Sequence, residues 1–158
     1  RIGLIAGPRQ PSTSRERFEG FREAILAHHL TLDPELIVYS NFRQTGGYRA
    51  MQKLLDLENP PEAVMVSNNL MTLGGLQVIH ERNLHIPDQI AIVGFDDMPW
   101  ATSLQPPLTA VAQPAFDMGT TAAELLLVRL EDPARSFRKV VLDTKLMVRT
   151  SSGAKRNS

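Results

Sequence analysis

The sequence contains no cysteine, no long apolar run and no excess of charge of either sign. Without cysteine, disulfide frameworks, thiolate nucleophiles and cysteine-ligated metal centres are excluded. No apolar run approaches the roughly 18 residues that a membrane-spanning helix requires, and the N-terminus lacks a signal-peptide pattern. Seventeen basic residues balance seventeen acidic ones, whereas a stand-alone nucleic-acid-binding domain usually carries a basic excess on one face. The composition therefore points away from membrane insertion and from direct nucleic-acid binding by this segment.

The composition that is present is typical of one α/β domain. The chain has 158 residues, of which 42% are hydrophobic and 22% charged, enough to form a core and too apolar for a disordered chain. It begins without methionine and enters an apolar run at Ile2. We therefore expect it to be part of a longer polypeptide.

Short runs rich in valine and isoleucine recur along the first two thirds of the chain. They are nearly continuous rather than alternating, which is typical of strands buried on both faces of a parallel sheet. The predicted strands cover residues 2–6, 36–39, 63–67 and 90–95.

Helix-start signals follow the first three of these runs. Thr13 and Glu16 fit a capping box, Thr45 is a candidate cap for a second helix, and the pair Asn68 and Asn69 is a candidate cap for a helix over about 70–82. Strands that alternate with helices predict a parallel sheet with helices on both faces, an α/β architecture.

The pattern changes after residue 96. The sequence predicts a loop, a short strand at 108–112, a helix over about 116–130, and a looser strand over 138–149 with a bend near Asp143. The polar residues 150–158 are expected to form a frayed tail. The helix has an apolar stripe, and the family resemblance described below implies that its packing partners are absent, so we expect self-association.

Polar and aromatic side chains follow the predicted strands at the ends where ligands bind in parallel sheets. Planar amides, a carboxylate, a guanidinium and aromatic faces suit a small polar ligand with apolar faces, such as a sugar or sugar acid. Structural alternatives remain open: Asn68 as a helix cap, the aspartates at 96 and 97 as a turn, and Arg17 as a solvated charge. The candidate residues are Thr13, Arg17, Phe42, Asn68 and Asp96.

Motifs for catalysis are largely missing. The sequence has no GxSxG elbow, P-loop, HExxH or complete GxGxxG motif, so we expect no catalytic residues, no metal ligands and no cofactor. One alternative is a hydrolase that uses Asp96 and Asp97 to bind Mg²⁺, although no second acidic cluster follows a strand.

A set of segments, in order along the chain, resembles the LacI (lac repressor) family of bacterial transcription regulators. Each is weakly specific alone, but together they cover about residues 2–152 with the expected spacing. The segments are IAGP at 5–8, SRERFEGF at 14–21, VSNN at 66–69, IPDQIAIVGFDD at 86–97, PPLT at 106–109, QP at 113–114 and VRTSS at 148–152.

The resemblance implies a periplasmic-binding-protein-like (type I) fold of two lobes with an effector in the cleft between them. It implies that residues 1–113 form an incomplete C-terminal lobe, that residues 114–150 supply a crossover, helix and strand to the N-terminal lobe, and that 151–158 form a flexible tail. An N-terminal helix-turn-helix domain, expected to be absent from this chain, would bind operator DNA in the cytoplasm. A periplasmic sugar-binding receptor of a transport system is the alternative.

The resemblance also assigns roles to individual positions. Arg17 matches the effector-binding arginine, Phe42 the aromatic beside the ligand, Asn68 and Asp96 two strand-end effector ligands, and Gln113 a crossover contact. The chain departs from the family at Asn69, where aspartate is usual, which leaves the ligand class open. Family dimers form through C-terminal lobes, which implies a homodimer interface containing Leu70, Leu73, Gly74, Gln77 and Leu104.

Overall fold

The computed structural model describes residues 1–153, which form one six-stranded sheet with four α-helices. The strands are β1 (Ile2–Ala6), β2 (Ile37–Tyr39), β3 (Ala63–Val66), β4 (Ala91–Phe95), β5 (Thr109–Ala112) and β6 (Lys145–Met147). The helices are α1 (Ser12–Ala27), α2 (Gln44–Leu55), α3 (Asn69–Glu81) and α4 (Ala115–Glu131).

The sheet has the order β2-β1-β3-β4-β5-β6, and its first five strands are parallel. Only β6 runs antiparallel, against β5. The four strands predicted from the apolar runs are thus confirmed. Because β1 to β5 are parallel, the loops that follow them emerge at the same edge of the sheet.

Helices cover both faces, as predicted. On one face Phe21 and Ile25 of α1 pack against Leu4 and Ala6 of β1. On the other face α2 and α3 lie over a larger core formed by the remaining strand side chains. Its fully buried members include Ile5, Met51, Leu54, Val64, Val66, Met71, Ile79 and Ile92.

Two of the three predicted helix caps are wrong. Helix α1 follows Pro11 and helix α2 follows Arg43, and neither of these N-cap residues makes a side-chain capping bond. Because Pro11 takes the N-cap position and α1 begins at Ser12, Thr13 lies inside the first turn and not at the cap. Asn68 does cap α3, because its Oδ1 accepts a hydrogen bond of 2.9 Å from the Met71 N–H.

The C-terminal segment differs from the expectation. Only Lys145–Met147 forms a strand, so the long strand predicted over 138–149 is wrong. Strand β6 pairs antiparallel with β5 and so extends the sheet of residues 1–113, while the division of the chain between two lobes stays a prediction. Ser151 is only 1% exposed within a short 3₁₀ turn, which contradicts a frayed tail there. The rest of the predicted tail, residues 154–158, lies outside the described residues.

Helix α4 stands away from the sheet. None of its residues is buried within residues 1–153, and Phe116, Leu126 and Leu130 are exposed. This confirms the exposed apolar stripe, whereas self-association stays a prediction. In the same residues, no helix is long and apolar enough to cross a membrane.

One residue assigned to the dimer interface faces its own chain. Gly74 is buried, and a Cβ at this position would lie 2.0 Å from the Gln44 carbonyl oxygen of α2. Gly74 therefore serves the α2–α3 contact, and the dimer interface to which the resemblance assigns it stays a prediction. Leu70 is exposed, and the other three assigned residues, Leu73, Gln77 and Leu104, line one groove.

Candidate functional site

The predicted site residues all follow strands at the carboxyl edge of the sheet. Arg17 lies on α1 after β1, Phe42 follows β2, Asn68 follows β3, Asp96 follows β4 and Gln113 follows β5. The parallel topology places these five positions at one edge although 96 residues separate the first from the last. Arg17 and Asp96 are close enough to interact electrostatically.

Arg17 is held in a fixed orientation. Its guanidinium carbon lies 3.7 Å from the ring centroid of Phe95, and its Nη1 donates a 2.5 Å hydrogen bond to the Ser67 carbonyl oxygen. Burial lowers the pKa of Arg17, and the charge of Asp96 partly offsets this effect. A guanidinium has five N–H donors, so a stacked Arg17 retains donors for a ligand.

Asp96 has an unusual backbone. Its φ is +72°, in the left-handed region that non-glycine residues adopt at a cost. Its N–H donates a 2.9 Å hydrogen bond to the Val111 carbonyl oxygen of β5. One carboxylate oxygen accepts a hydrogen bond from Gln113 Nε2, and the second has no donor within residues 1–153. A carboxylate held in a strained conformation with one unused oxygen is suited to ligand binding.

Phe42 and Asn68 form an adjoining pair. Phe42 also has a left-handed φ, +60°, and its ring packs on Gly7, where a Cβ would lie 2.1 Å from the ring. Asn68 Nδ2 donates a 3.2 Å hydrogen bond to the Phe42 carbonyl oxygen. The structural interpretation of Asn68 as a helix cap is therefore correct, and its amide also fixes the Phe42 loop. Its contact with an effector stays a prediction.

A groove of about 510 Å³ joins several of these residues. This is within the roughly 300–1,000 Å³ typical of small-molecule sites. Its lining includes Thr13, Arg17, Phe95, Gln113 and Thr144. Three of the six predicted ligand residues thus share one groove, in which Thr13 is exposed on the first turn of α1.

Two members of the site were missed from the sequence. Phe95 was assigned only to a strand, and its position directly before Asp96 is the sole sequence signal that it borders the site. Ser67 acts through its carbonyl oxygen, and a backbone acceptor leaves no trace in residue identity. Both hold Arg17.

Asp97 has a different role from its neighbour Asp96. It forms a two-point ion pair with Arg149, and the side chains of both residues are only 15% exposed. This hydrogen bonding raises the pKa of Arg149. Since Asp97 is committed to Arg149, it is not free to join Asp96 as a Mg²⁺ ligand. Across residues 1–153 no cluster of three potential metal ligands occurs.

Ser14 gives a prediction about stability. Its side chain is 2% exposed, and its Oγ lacks a hydrogen-bond partner within the described part of the chain. Ser151 is equally buried, but its Oγ bonds to the Ile92 carbonyl and the Thr109 N–H. Ser14→Ala should leave stability unchanged or raise it by up to about 1 kcal/mol, whereas Ser151→Ala should cost about 1–3 kcal/mol.

Urea unfolding of the two serine variants checks this prediction, with Ser151→Ala as the matched control. An equal loss of stability in both variants would show that the Ser14 hydroxyl has a bound partner in solution.

Comparison with known protein families gives one match that covers almost the whole chain. Residues 1–152 match the family model described as "Periplasmic binding protein-like domain". The similar curated proteins are bacterial transcription regulators. The HTH-type transcriptional regulator CelR of Thermobifida fusca is 38% identical over 151 residues, which are 96% of this chain and 44% of CelR. The HTH-type transcriptional repressor CytR of Escherichia coli K12 is 34% identical, with 98% and 45% covered.

Solved structures give the same result. A complex of the regulator CelR with cellobiose has a TM-score of 0.89 at 38% identity and covers 96% of this chain and 46% of that chain. A LacI regulator from Bacillus cereus subsp. cytotoxis has a TM-score of 0.90 at 26% identity, with 96% and 54% covered. The chain thus spans less than half the length of the curated relatives described above.

Proposed function

The chain belongs to the family of periplasmic binding protein-like domains, in the form found in LacI-family regulators, and from this premise we propose that it senses a small-molecule effector for a DNA-binding transcriptional regulator. The observation that carries the proposal is the arrangement of Arg17, Asp96 and Gln113 at one edge of the sheet. Arg17 and Gln113 line one groove there, and Gln113 donates a hydrogen bond to the carboxylate of Asp96 beside it.

The proposed effector is a sugar or sugar derivative. Hydroxyl groups both donate and accept hydrogen bonds, so they match the spare N–H groups of Arg17 and the unused oxygen of Asp96. Phe95 lines the groove and offers an apolar ring of the kind that packs against a sugar, and Phe42 lies at the same edge of the sheet. The similarity to a regulator solved with cellobiose supports this ligand class.

In this proposal the effector controls operator binding by a helix-turn-helix domain in the rest of the regulator. Coupling requires that the effector bind one arrangement of the protein better than the other. The proposal further comprises a cytoplasmic homodimer without enzymatic activity. All the similar curated proteins described above are transcription regulators, which favours this function over a periplasmic transport receptor.

Titration of the full-length protein with cellobiose and other mono- and disaccharides by calorimetry tests the proposal. Arg17→Lys should weaken the binding of a saccharide ligand about tenfold or more, because lysine cannot stack flat on Phe95 while it donates to several acceptors. Arg22→Lys is the matched control, since Arg22 lies on the exposed side of α1 and its one ion pair within residues 1–153 is with Glu19.

If no saccharide binds, the proposed ligand class is wrong. If Arg17→Lys and Arg22→Lys bind a saccharide as the wild type does, the binding site lies elsewhere. A measurement of operator binding with and without the saccharide then tests the regulatory part of the proposal.

A further inference from the structure

Arg149 lies behind the effector site and connects the C-terminal segment to it. Its Nη1 and Nη2 donate hydrogen bonds of 2.6 and 2.7 Å to the two carboxylate oxygens of Asp97. Nη1 also donates a 2.6 Å bond to the Leu108 carbonyl oxygen, directly before β5. A two-point contact between a guanidinium and a carboxylate fixes orientation as well as distance.

The backbone of Arg149 is itself anchored. Its N–H donates a 2.8 Å hydrogen bond to Thr109 Oγ1, and its carbonyl oxygen accepts a 2.7 Å bond from the same hydroxyl. Ser151 adds hydrogen bonds to β4 and β5 through its buried hydroxyl. The guanidinium of Arg149 therefore projects from a segment that cannot shift without breaking several bonds.

Asp97 is the chain neighbour of Asp96, whose left-handed φ of +72° is costly without surrounding restraints. The Asp96 N–H bonds to Val111, and its carboxylate bonds to Gln113, so β5 restrains it from one side. The bond between Asp97 and Arg149 restrains the chain at the next residue. Loss of this ion pair would leave the strained φ of Asp96 held from the side of β5 alone, so the loop after β4 would open more often.

We propose that Arg149 is a positioning residue of the effector site, which through its two-point contact with Asp97 holds Asp96 in the conformation that binds the effector. This inference rests on the proposed function for its ligand, but not for its geometry. It also makes the C-terminal segment 145–152 a part of the site, although the chain reaches that segment only after α4.

The first test uses the ligand-free, full-length protein. Arg149→Lys keeps the positive charge and loses the planar two-point contact. We expect hydrogen exchange at the Asp96 amide to become about tenfold faster, because the loop opens more often. Arg82→Lys is the matched control: Arg82 makes a 2.6 Å ion pair with Asp56 at the end of α3, before β4 begins and therefore at the opposite edge of the sheet from the Asp96 loop, and should leave that exchange rate unchanged.

The second test measures cellobiose binding by calorimetry, well below the melting temperature of every variant. Arg149→Lys and Asp97→Asn should each weaken binding about tenfold, and the double variant should be no weaker than either single one, since both break the same contact. A purely structural role would lower the melting temperature and leave this affinity unchanged.

The outcomes separate the two proposals. Unchanged exchange at Asp96 in Arg149→Lys overturns the positioning role, whether or not cellobiose binds. If the wild type binds none of the saccharides but exchange at Asp96 accelerates as expected, the ligand class is wrong and the positioning role stands. Additive losses of affinity in the double variant of Arg149→Lys and Asp97→Asn would also contradict the positioning role.

Discussion

Replacement of Asp96 by asparagine should weaken effector binding by about 1.5–3 kcal/mol, or roughly 10- to 150-fold, because it removes a charged acceptor opposite Arg17. Asparagine has nearly the same shape and also tolerates a left-handed φ. The backbone at +72° should therefore persist, and the loss can be assigned to the charge. Calorimetry on the full-length protein, with a saccharide that the wild type binds, measures it.

A second substitution at the same position separates binding from stability. Glycine adopts a φ of +72° without steric cost, so Asp96→Gly should relieve strain and leave the protein as stable as the wild type or slightly more stable. It nevertheless removes the carboxylate, and binding should be lost. Such a result would show that the strain at Asp96 is kept for ligand binding.

Asp56→Asn is the control for the charge change. Asp56 ends α2 and pairs with Arg82 at the surface, so its replacement should not alter effector affinity. If Asp96→Asn bound the effector as tightly as Asp56→Asn and the wild type, Asp96 would not contact the ligand. The assignment of the groove beside Arg17 would then have to be abandoned.

The sheet could be predicted from the sequence because its signal is local. The apolar runs that became β1, β2, β3 and β4 are short, rich in valine and isoleucine, and separated by helical segments. Once these strands are taken as parallel, the carboxyl edge and the convergence of Arg17 with Asp96 follow from topology alone. The parallel arrangement of these strands therefore explains both the predicted fold and the position of the site residues at one edge of the sheet.

The parts that could not be predicted depend on contacts between segments distant in the chain. Residues 138–144 contain the apolar run 140–142, which is typical of a strand, but they form none, and no residue of α4 before them is buried within residues 1–153. Asp97 and Arg149 are 52 residues apart, so their ion pair has no local signal. The sequence also could not separate the proposed ligand role of Asp96 from the structural role of Asp97.

Gly74 is another position whose role depends on a distant segment, here the close contact between α2 and α3. A Cβ at Gly74 would lie 2.0 Å from the Gln44 carbonyl oxygen and 2.6 Å from the Tyr48 nitrogen, and both atoms belong to the backbone of α2. The contact is mutual, because a Cβ at Gly47 of α2 would lie 2.2 Å from the Met71 carbonyl oxygen of α3. Backbone atoms cannot rotate aside as a side chain can.

Gly74→Ala should therefore destabilise the protein by about 3 kcal/mol, at the upper end of what overpacking usually costs, since the two helices must separate to admit the methyl group. This expectation runs against helix propensity, which favours alanine over glycine by about 1 kcal/mol in a helix interior. Urea unfolding of the wild type and the variant measures the difference.

Gly20→Ala provides the matched control within α1. No atom lies within 4 Å of a Cβ built at Gly20, so the same substitution should raise stability by about 0.5–1 kcal/mol through helix propensity alone. Opposite signs at the two positions would establish that the α2–α3 contact requires glycine. If Gly74→Ala were as stable as Gly20→Ala, the two helices would have to lie farther apart than the structure places them, and the core beneath them, with Met51 and Met71, would be less tightly packed.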